Sequence, residues 1–405
     1  MKYELKMQIS KISIIIICML ALCSNAKAEG DSIPSGFSRP LQWRMEVEAG
    51  AAWVPGTCSY LDGSNPLGER VNSNFSGGLR ADFSFSPDSR EGMLYKGLYQ
   101  GFGVSAGTFS ANGMLGTPVS AYVYQGAPIA HLSRRAWMGY EWQFGAAFGW
   151  KHSSEKAEDN NTATGTAVTA HMGLGLKLHY MLSNRWQLSV GAMAHHFSNG
   201  NTEYPNSGVN TIGASIGIAY TINPMVKTTE TPAELEQEAD RGRWFYDITA
   251  YGAWRRRIIT LGEPAEKELC PGKFGVIGVQ FSPMRQLNRW VAVGPAVDVQ
   301  WDESAGLAPY WIDGTFDENM KFERPPFGKR LSAGLSAHAE LTMPIFAVNV
   351  GLGYDFINPK GNKAFYQSLT LKTFITKSVY INTGYRLGKF EYPQNLMLGA
   401  GIRLR

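Results

Sequence analysis

The stretch AWMGYEWQFGAAFGWK, residues 136–151, alternates between two kinds of side chain along its whole length. Successive side chains of a β-strand point to opposite faces, whereas a helical face repeats every three to four residues. The stretch therefore predicts a strand with one apolar face, and residues 168–180 repeat the pattern. The apolar positions are Ala136, Met138, Tyr140, Trp142, Phe144, Ala146, Phe148 and Trp150, and the opposite face includes Gly139, Glu141, Gln143, Gly145, Gly149 and Lys151.

These strands are too long for a typical soluble sandwich, whose strands average five or six residues. Large aromatic residues cluster near the ends of the apolar faces, and only 18% of the chain is charged, against roughly 25% in an average soluble protein. Both features are typical of a transmembrane β-barrel, which has a lipid-facing apolar band between two aromatic girdles. The sequence therefore predicts an all-β, antiparallel transmembrane barrel.

The first residues predict export. Lysines precede an apolar run from Ile12 to Cys23, and Ala26, Lys27 and Ala28 form a small-x-small cleavage signal, so residues 1–28 are interpreted as a signal peptide. The mature chain has no apolar run approaching 18 residues. A net charge of +4 and a pI near 8.7 are too mild to favour nucleic acid as a partner. We therefore expect a protein of the Gram-negative outer membrane.

The chain also contains an internal repeat, which defines the predicted domains. The segments WRMEVEAGAAW at 43–53 and WFYDITAYGAW at 244–254 correspond, FSP recurs at 85 and 281, and EYP recurs at 203 and 391. Each copy has room for about eight strands, the smallest closed barrel. We predict two tandem eight-stranded barrels at 40–223 and 243–405, joined by a periplasmic linker or short helix at 224–242. One sixteen-stranded barrel is the alternative.

Long and short gaps between the predicted strands alternate, as expected for extracellular loops and periplasmic turns. The gaps 55–75, 152–164, 258–272 and 302–329 are long, whereas 131–136, 182–184, 283–288 and 343–345 are short. The chain therefore starts on the periplasmic side. The exported compartment also permits Cys58 and Cys270, in equivalent first loops, to approach and pair, although two unpaired thiols are an equal alternative.

The stretch AHHFSNGNTEYPNSGVN, residues 194–210, contains the candidate site. On the seventh strand, the even register places His196 and Ser198 on the lipid-facing side and His195 inside the barrel. On the eighth strand, Asn210 shares the outward face. Same-face residues two apart are about 6.5–7 Å apart, and antiparallel neighbours are about 5 Å apart. Side chains can bridge both distances at the outer-leaflet interface.

These three residue types can form a nucleophilic site. A serine hydroxyl becomes reactive when a base takes its proton, and the base works best when a third group holds its ring. Ser198, His196 and Asn210 are predicted as nucleophile, base and orienter, with an amide in place of the usual carboxylate. A site that faces lipid indicates a lipid substrate. The alternative is that these polar groups merely end a strand at the headgroup region.

HFSN at 196–199 followed by PNSG at 205–208 resembles the H-x-S-N…P-N signature of the lipid A 3-O-deacylase (PagL-like) family. The resemblance covers about residues 43–223 and implies an eight-stranded outer-membrane barrel with a lipid-facing Ser–His–acid site. It implies that Asn199 and Asn206 help to hold the oxyanion. The family's acid, usually glutamate, falls on Asn210, and Glu203 in the loop is a possible substitute. The second copy, a degenerate repeat, lacks the motif.

The predicted function is hydrolysis of an acyl ester of lipid A in lipopolysaccharide, with no cofactor and no metal. An outer-membrane phospholipase and a non-catalytic porin or binding barrel are the alternatives. A catalytic barrel predicts a lumen filled by side chains, whereas a porin needs about sixteen strands around open water. The sequence leaves open which acyl chain is released, the preferred chain length, the role of the second repeat, and whether the protein forms a homodimer.

Overall fold

The computed structural model describes residues 41–87, 89–111, 113–153, 161–225, 242–261, 266–311, 320–359, 362, 364–390 and 392–405. The predicted signal peptide at 1–28 and all but the ends of the predicted linker at 224–242 lie outside these residues. Within them, no helix has the length and apolar character required to cross a membrane.

The first eight strands form a closed antiparallel barrel in sequence order, because β1 pairs with both β2 and β8. Each strand has at least eleven residues, which agrees with the length inferred from the alternation. The strands are β1 Leu41–Trp53, β2 Ser73–Phe85, β3 Tyr99–Phe109, β4 Gly116–His131, β5 Ala136–Trp150, β6 Val168–Met181, β7 Trp186–Ser198 and β8 Val209–Thr221. One short helix, α1 Arg90–Tyr95, lies between β2 and β3.

The second copy forms its own closed barrel, in the order β12-β13-β16-β17-β18-β19-β20-β9. Two small hairpins, β10–β11 and β14–β15, lie inside the gaps that the sequence marks as long loops. The prediction of two eight-stranded barrels is confirmed. The strands are β9 Trp244–Arg255, β10 Ile258–Leu261, β11 Glu266–Leu269, β12 Phe274–Gln286, β13 Val291–Asp302, β14 Ala308–Trp311, β15 Met320–Glu323, β16 Leu331–Thr342, β17 Phe346–Ile357, β18 Phe365–Phe374, β19 Val379–Gly388 and β20 Tyr392–Leu404.

Tight turns close the barrel ends where the short gaps lie. Ser133, Ser183, Asn288 and Thr376 each accept hydrogen bonds from the backbone N–H groups two and three residues later. Such side-chain contacts imitate a backbone turn, which suits these residue types to short connections. The opposite ends of both barrels carry the longer loops.

The alternation in sequence separates the two faces of the barrel wall. On β6, Leu174 is 64% exposed on the outer face, whereas the neighbouring inward Lys177 is 1% exposed. The outer face of β7 continues this band with Trp186 and Val190. Exposure of large apolar side chains to water is unfavourable. The outer surface is therefore suited to contact with lipid.

Paired charges fill the lumen of the first barrel. Arg80 contacts Glu141 at 2.5 Å, Glu48 at 2.8 Å and Glu46 at 3.5 Å, and Lys177 pairs with Glu48 and Glu141. Burial of an unpaired charge costs several kcal/mol, so this arrangement requires that every charge has a partner. The lumen is therefore a packed polar core, as expected for a catalytic barrel and not for a porin.

The second barrel is filled in the same way. The Lys372 ammonium lies 2.6 Å from Asp247 and 2.7 Å from Glu340, and the Arg403 guanidinium contacts the same two carboxylates at 2.7 and 2.5 Å. All four side chains are buried. Each barrel thus has its own internal core.

The two barrels touch through apolar side chains of their outer faces. Met343, Phe346 and Leu371 of the second barrel form a cluster against Val123, Trp142 and Phe144 of the first. The rings of Trp142 and Phe346 meet edge to face at 5.0 Å, a favourable aromatic geometry. This cluster holds the barrels together independently of the loops.

Cys58 and Cys270 are both free thiols, which corresponds to the alternative of two unpaired thiols. Cys58 packs against the apolar loop cluster of the first barrel, which includes Tyr60 and Trp150. Cys270 is buried, and its N–H donates to the Arg257 carbonyl at 2.8 Å. Burial raises the pKa of the Cys270 thiol to about 11. Each cysteine is therefore held within the loops of its own barrel.

Candidate active site

The candidate residues meet where β7 ends and β8 begins. His196 and Asn210 are direct partners in the β7–β8 register, and Met172 of β6 lies opposite His196 on the other side. Ser198 is the last residue of β7. The end of β7 belongs to the long-loop end of the barrel, so the site lies at the rim of the apolar band.

Asn210 is hydrogen-bonded to the imidazole of His196. The distance from His196 Nδ1 to Asn210 Oδ1 is 2.7 Å. An amide oxygen only accepts hydrogen bonds, so the proton of the neutral ring lies on Nδ1 and the lone pair lies on Nε2. This tautomer is the one that a general base requires.

The Ser198 hydroxyl is hydrogen-bonded to the following loop, where it donates to Asn206 Oδ1 at 3.3 Å and accepts from two N–H groups. Asn206 Nδ2 donates to Ser198 Oγ at 3.0 Å, and the Gly200 N–H donates to the same oxygen at 3.2 Å. Asn206 is fixed in turn, because its Oδ1 accepts from Asn199 N–H at 3.1 Å and its Nδ2 also reaches Asn201 Oδ1 at 3.0 Å. The loop thus aims two N–H groups at the oxygen that would react.

No hydrogen bond joins His196 to Ser198 in the described part of the chain, but both side chains border Gly208. A Cβ built on Gly208 would lie 3.2 Å from His196 Cε1 and 3.8 Å from Ser198 Cβ. The His196 ring and the Ser198 side chain therefore border the same space beside Gly208. Catalytic hydrogen bonds are often long without substrate and tighten when it binds.

Gly208 leads to a first test. Its φ of +73° disfavours any side chain, and a Cβ would press on the His196 ring. We expect Gly208→Ala to lower kcat for lipid acyl release about ten- to a hundredfold, because small displacements of reacting groups have effects of this size.

Gly68→Ala is the matched control for this substitution. Gly68 has a similar φ of +66°, and a Cβ there would meet no atom within 4 Å. This variant carries the backbone strain without the contact to the site, so its kcat should stay unchanged. Equal losses in both variants would contradict a specific role for the space beside His196.

The remaining predicted residues lie as follows. Asn199 is buried, and its Nδ2 donates to the Glu203 carbonyl at 3.0 Å, so the side chain shapes the loop. The Glu203 carboxylate contacts Arg256 at 3.3 Å and Lys273 at 3.1 Å, whereas the imidazole is bound by Asn210. His195 points into the lumen, where its ring meets His171 at 5.2 Å. The two adjacent histidines therefore lie on opposite faces, as predicted.

Tyr204 of the same loop is half-buried, and the loss of solvent raises the pKa of its phenol. Sequence reasoning missed the contributions of Gly200, Asn201 and Gly208 to the site. The left-handed backbone of Asn201, Gly200 and Gly208 suits the turn-forming residues glycine and asparagine, so the GN and SG pairs of the loop are the signal that was available.

Two family models match this chain. Residues 75–219 match Lipid A 3-O-deacylase (PagL), and residues 244–405 match Acyloxyacyl hydrolase, C-terminal domain. The matched segments correspond to most of the first barrel and to the whole of the second. No curated protein sequence matches the chain significantly.

Solved barrels of the outer-membrane type are also similar to parts of the chain. The crystal structure of the outer membrane enzyme PagL is 17% identical, with 42% of this chain and 97% of that chain covered and a TM-score of 0.31. A de novo designed transmembrane β-barrel is 14% identical, with 46% and 99% covered and a TM-score of 0.22.

Proposed function

This chain belongs to the lipid A 3-O-deacylase (PagL) family of outer-membrane β-barrels, and from this premise we propose that it hydrolyses an ester-linked acyl chain of lipid A. The observation that carries the proposal is the 2.7 Å contact between His196 Nδ1 and Asn210 Oδ1, beside Ser198 at the rim of the apolar outer face. A lipid ester in the outer leaflet would reach this position without leaving the membrane.

The first step would form an acyl-enzyme. Ser198 Oγ attacks the acyl carbonyl carbon while His196 Nε2 takes the hydroxyl proton. Negative charge develops on the carbonyl oxygen, and Asn206 Nδ2 and the Gly200 N–H lie beside the reacting centre as donors. The intermediate then expels the sugar alkoxide, which takes the proton from the imidazolium. Asn199 would support this step by holding the loop.

The second step would release the fatty acid. Water attacks the acyl-enzyme, gives its proton to His196 Nε2 and displaces Ser198 Oγ, which recovers the proton. Asn210 keeps the ring in place through both steps. Its neutral amide orients the imidazolium but supplies no negative charge to stabilise it, in contrast to a carboxylate.

This difference predicts the behaviour of Asn210 variants. Asn210→Ala should lower kcat about tenfold to a hundredfold, because the ring loses the group that orients it. Asn210→Glu should retain or raise kcat, because a carboxylate both orients the ring and stabilises its positive charge. Initial rates of acyl release from lipid A would measure both. Unchanged kcat in Asn210→Ala would exclude the orienting role.

Mass spectrometry of lipid A from cells with and without the full-length protein tests the function itself. Loss of the mass of one acyl chain from lipid A, with release of the corresponding fatty acid, is expected. Fatty acid release from phospholipids with intact lipid A would instead identify a phospholipase, which the same lipid-facing site could support. No release from either lipid by folded protein would leave only a non-catalytic barrel.

A further inference from the structure

The loop that carries the catalytic groups contacts the second barrel. A Cβ built on Gly200 would lie 2.7 Å from Leu396 Cδ2 and 3.2 Å from Tyr385 Cε2, so the backbone of Gly200 lies directly against β19 and β20. The backbone N–H of Arg256, just after β9, donates to the Asn201 carbonyl at 3.3 Å. The second barrel therefore positions Gly200 and Asn201, two consecutive residues of the loop that follows Ser198.

Ion pairs reinforce this contact. Arg256 Nε lies 3.3 Å from Glu203 Oε1, and Lys273 Nζ lies 3.1 Å from Glu203 Oε2. Arg256 and Glu203 are largely shielded from solvent, with side chains 14% and 19% exposed, whereas the Lys273 side chain is 50% exposed. A partly buried pair is screened less by salt than an exposed one. The Arg256–Glu203 pair is therefore screened less by salt than the Lys273–Glu203 pair, and it acts through charge, since Arg256 Nε makes no hydrogen bond within the described residues.

A short chain of hydrogen bonds leads from this contact to the nucleophile. Asn201, whose carbonyl accepts from Arg256, also accepts from Asn206 Nδ2 through its side-chain oxygen at 3.0 Å. The same Asn206 Nδ2 donates to Ser198 Oγ at 3.0 Å. Glu203 joins the same loop, because its carbonyl accepts from the Asn199 side chain. The second barrel thus contacts the loop segment whose N–H groups donate hydrogen bonds to Ser198.

We infer that the second barrel completes the active site of the first, and that Arg256 is a positioning residue that acts on Ser198 through Asn201, Glu203 and Asn206. This inference rests on the proposed function for its catalytic consequence. It assigns a role to the repeat that lacks the catalytic motif. Arg256 touches no reacting atom, so its effect should fall on kcat and leave KM nearly unchanged.

Loss of Arg256 should not separate the barrels. The apolar cluster of Met343, Phe346 and Leu371 against the first barrel lies elsewhere and stays intact. A substitution at Arg256 therefore tests the ion pair with Glu203 alone, because the backbone N–H that donates to Asn201 is kept. Arg324→Gln provides a matched control, because Arg324 pairs with Glu303 at 2.9 Å in the loops of the second barrel.

The experiment uses full-length Arg256→Gln and Arg324→Gln proteins, with kcat and KM measured on purified lipid A. Arg256→Gln should lower kcat about tenfold and change KM less than twofold, and Arg324→Gln should change neither. In an Asn206→Ala background, Arg256→Gln should add less than a twofold loss, because the connection to Ser198 is already cut. An equal loss in both backgrounds, or no loss at all, would overturn the inference.

Hydrogen exchange of peptides covering 199–208 provides a readout that does not require activity. Arg256→Gln should accelerate exchange in this loop about tenfold, whereas Arg324→Gln should leave it unchanged. If wild-type protein releases no acyl chain, the proposed function fails, and loop exchange alone decides whether Arg256 orders the loop. Unchanged exchange in Arg256→Gln would refute that ordering role whatever the activity.

Discussion

Ser198→Ala is expected to lower kcat for acyl release by at least about a thousandfold, a loss of roughly 4 kcal/mol in transition-state stabilisation. The substitution removes the oxygen that would form the acyl-enzyme in the proposed mechanism, while His196, Asn210 and the loop donors remain. Residual turnover would come from water bound in place of the hydroxyl. Release of fatty acid from lipid A, followed by mass spectrometry, measures the loss.

Ser207→Ala is the control for this variant, because Ser207 is an exposed serine of the same loop. Its activity should match that of the wild type. Both proteins should show the heat-dependent gel shift of a folded barrel, since neither substitution touches the barrel cores. Full deacylation by the folded Ser198→Ala protein would exclude Ser198 as the nucleophile, and the proposed mechanism would fail with it.

The second large effect is expected at His196. His196→Ala removes the group that would take the serine proton. When residues act as one catalytic unit, removal of one of them costs about as much activity as removal of all of them. We therefore expect a loss of about a thousandfold or more, and little further loss when Ser198→Ala is added. Additive losses in the double variant would show that the two residues do not act as one unit.

His195→Gln is the neighbouring control. His195 points into the lumen of the first barrel, where it meets His171 and Thr211. Glutamine keeps a polar group at that place, so kcat should change less than about threefold. A large loss at His195 and a small one at His196 would mean that the catalytic face has been misassigned.

The outer-facing site could be predicted from sequence because strand geometry is local. Once the period of two is recognised, the faces of His195, His196 and Asn210 follow from counting. The closeness of His196 and Asn210 follows from one antiparallel hairpin, since both residues share the outward face at the same end of neighbouring strands. The division into two barrels followed from the repeat, whose copies each supply the number of strands that closes a small barrel.

The parts that sequence could not predict depend on contacts between distant segments. Glu203 seemed available as an alternative acid, but its carboxylate is bound by Arg256 and Lys273 of the other barrel. Pairing of Cys58 with Cys270 was one of two equal alternatives and rested on equivalent positions in the repeat, whereas Cys58 packs in the loop cluster of the first barrel and Cys270 is buried in the second. No local pattern records which loops of two barrels meet.

The charge network inside the first barrel has a consequence for the order of assembly. Arg80 on β2 finds Glu141 only on β5, 61 residues later, and Lys177 on β6 returns to Glu48 on β1. A β1–β2 hairpin inserted alone would hold the carboxylates of Glu46 and Glu48 with the single guanidinium of Arg80, and a carboxylate without its own cation in a region of low dielectric constant is costly. Closure of the first barrel brings Lys177 to Glu48 and Arg80 to Glu141, so the complete charge pairing favours the closed barrel over partly inserted sheets.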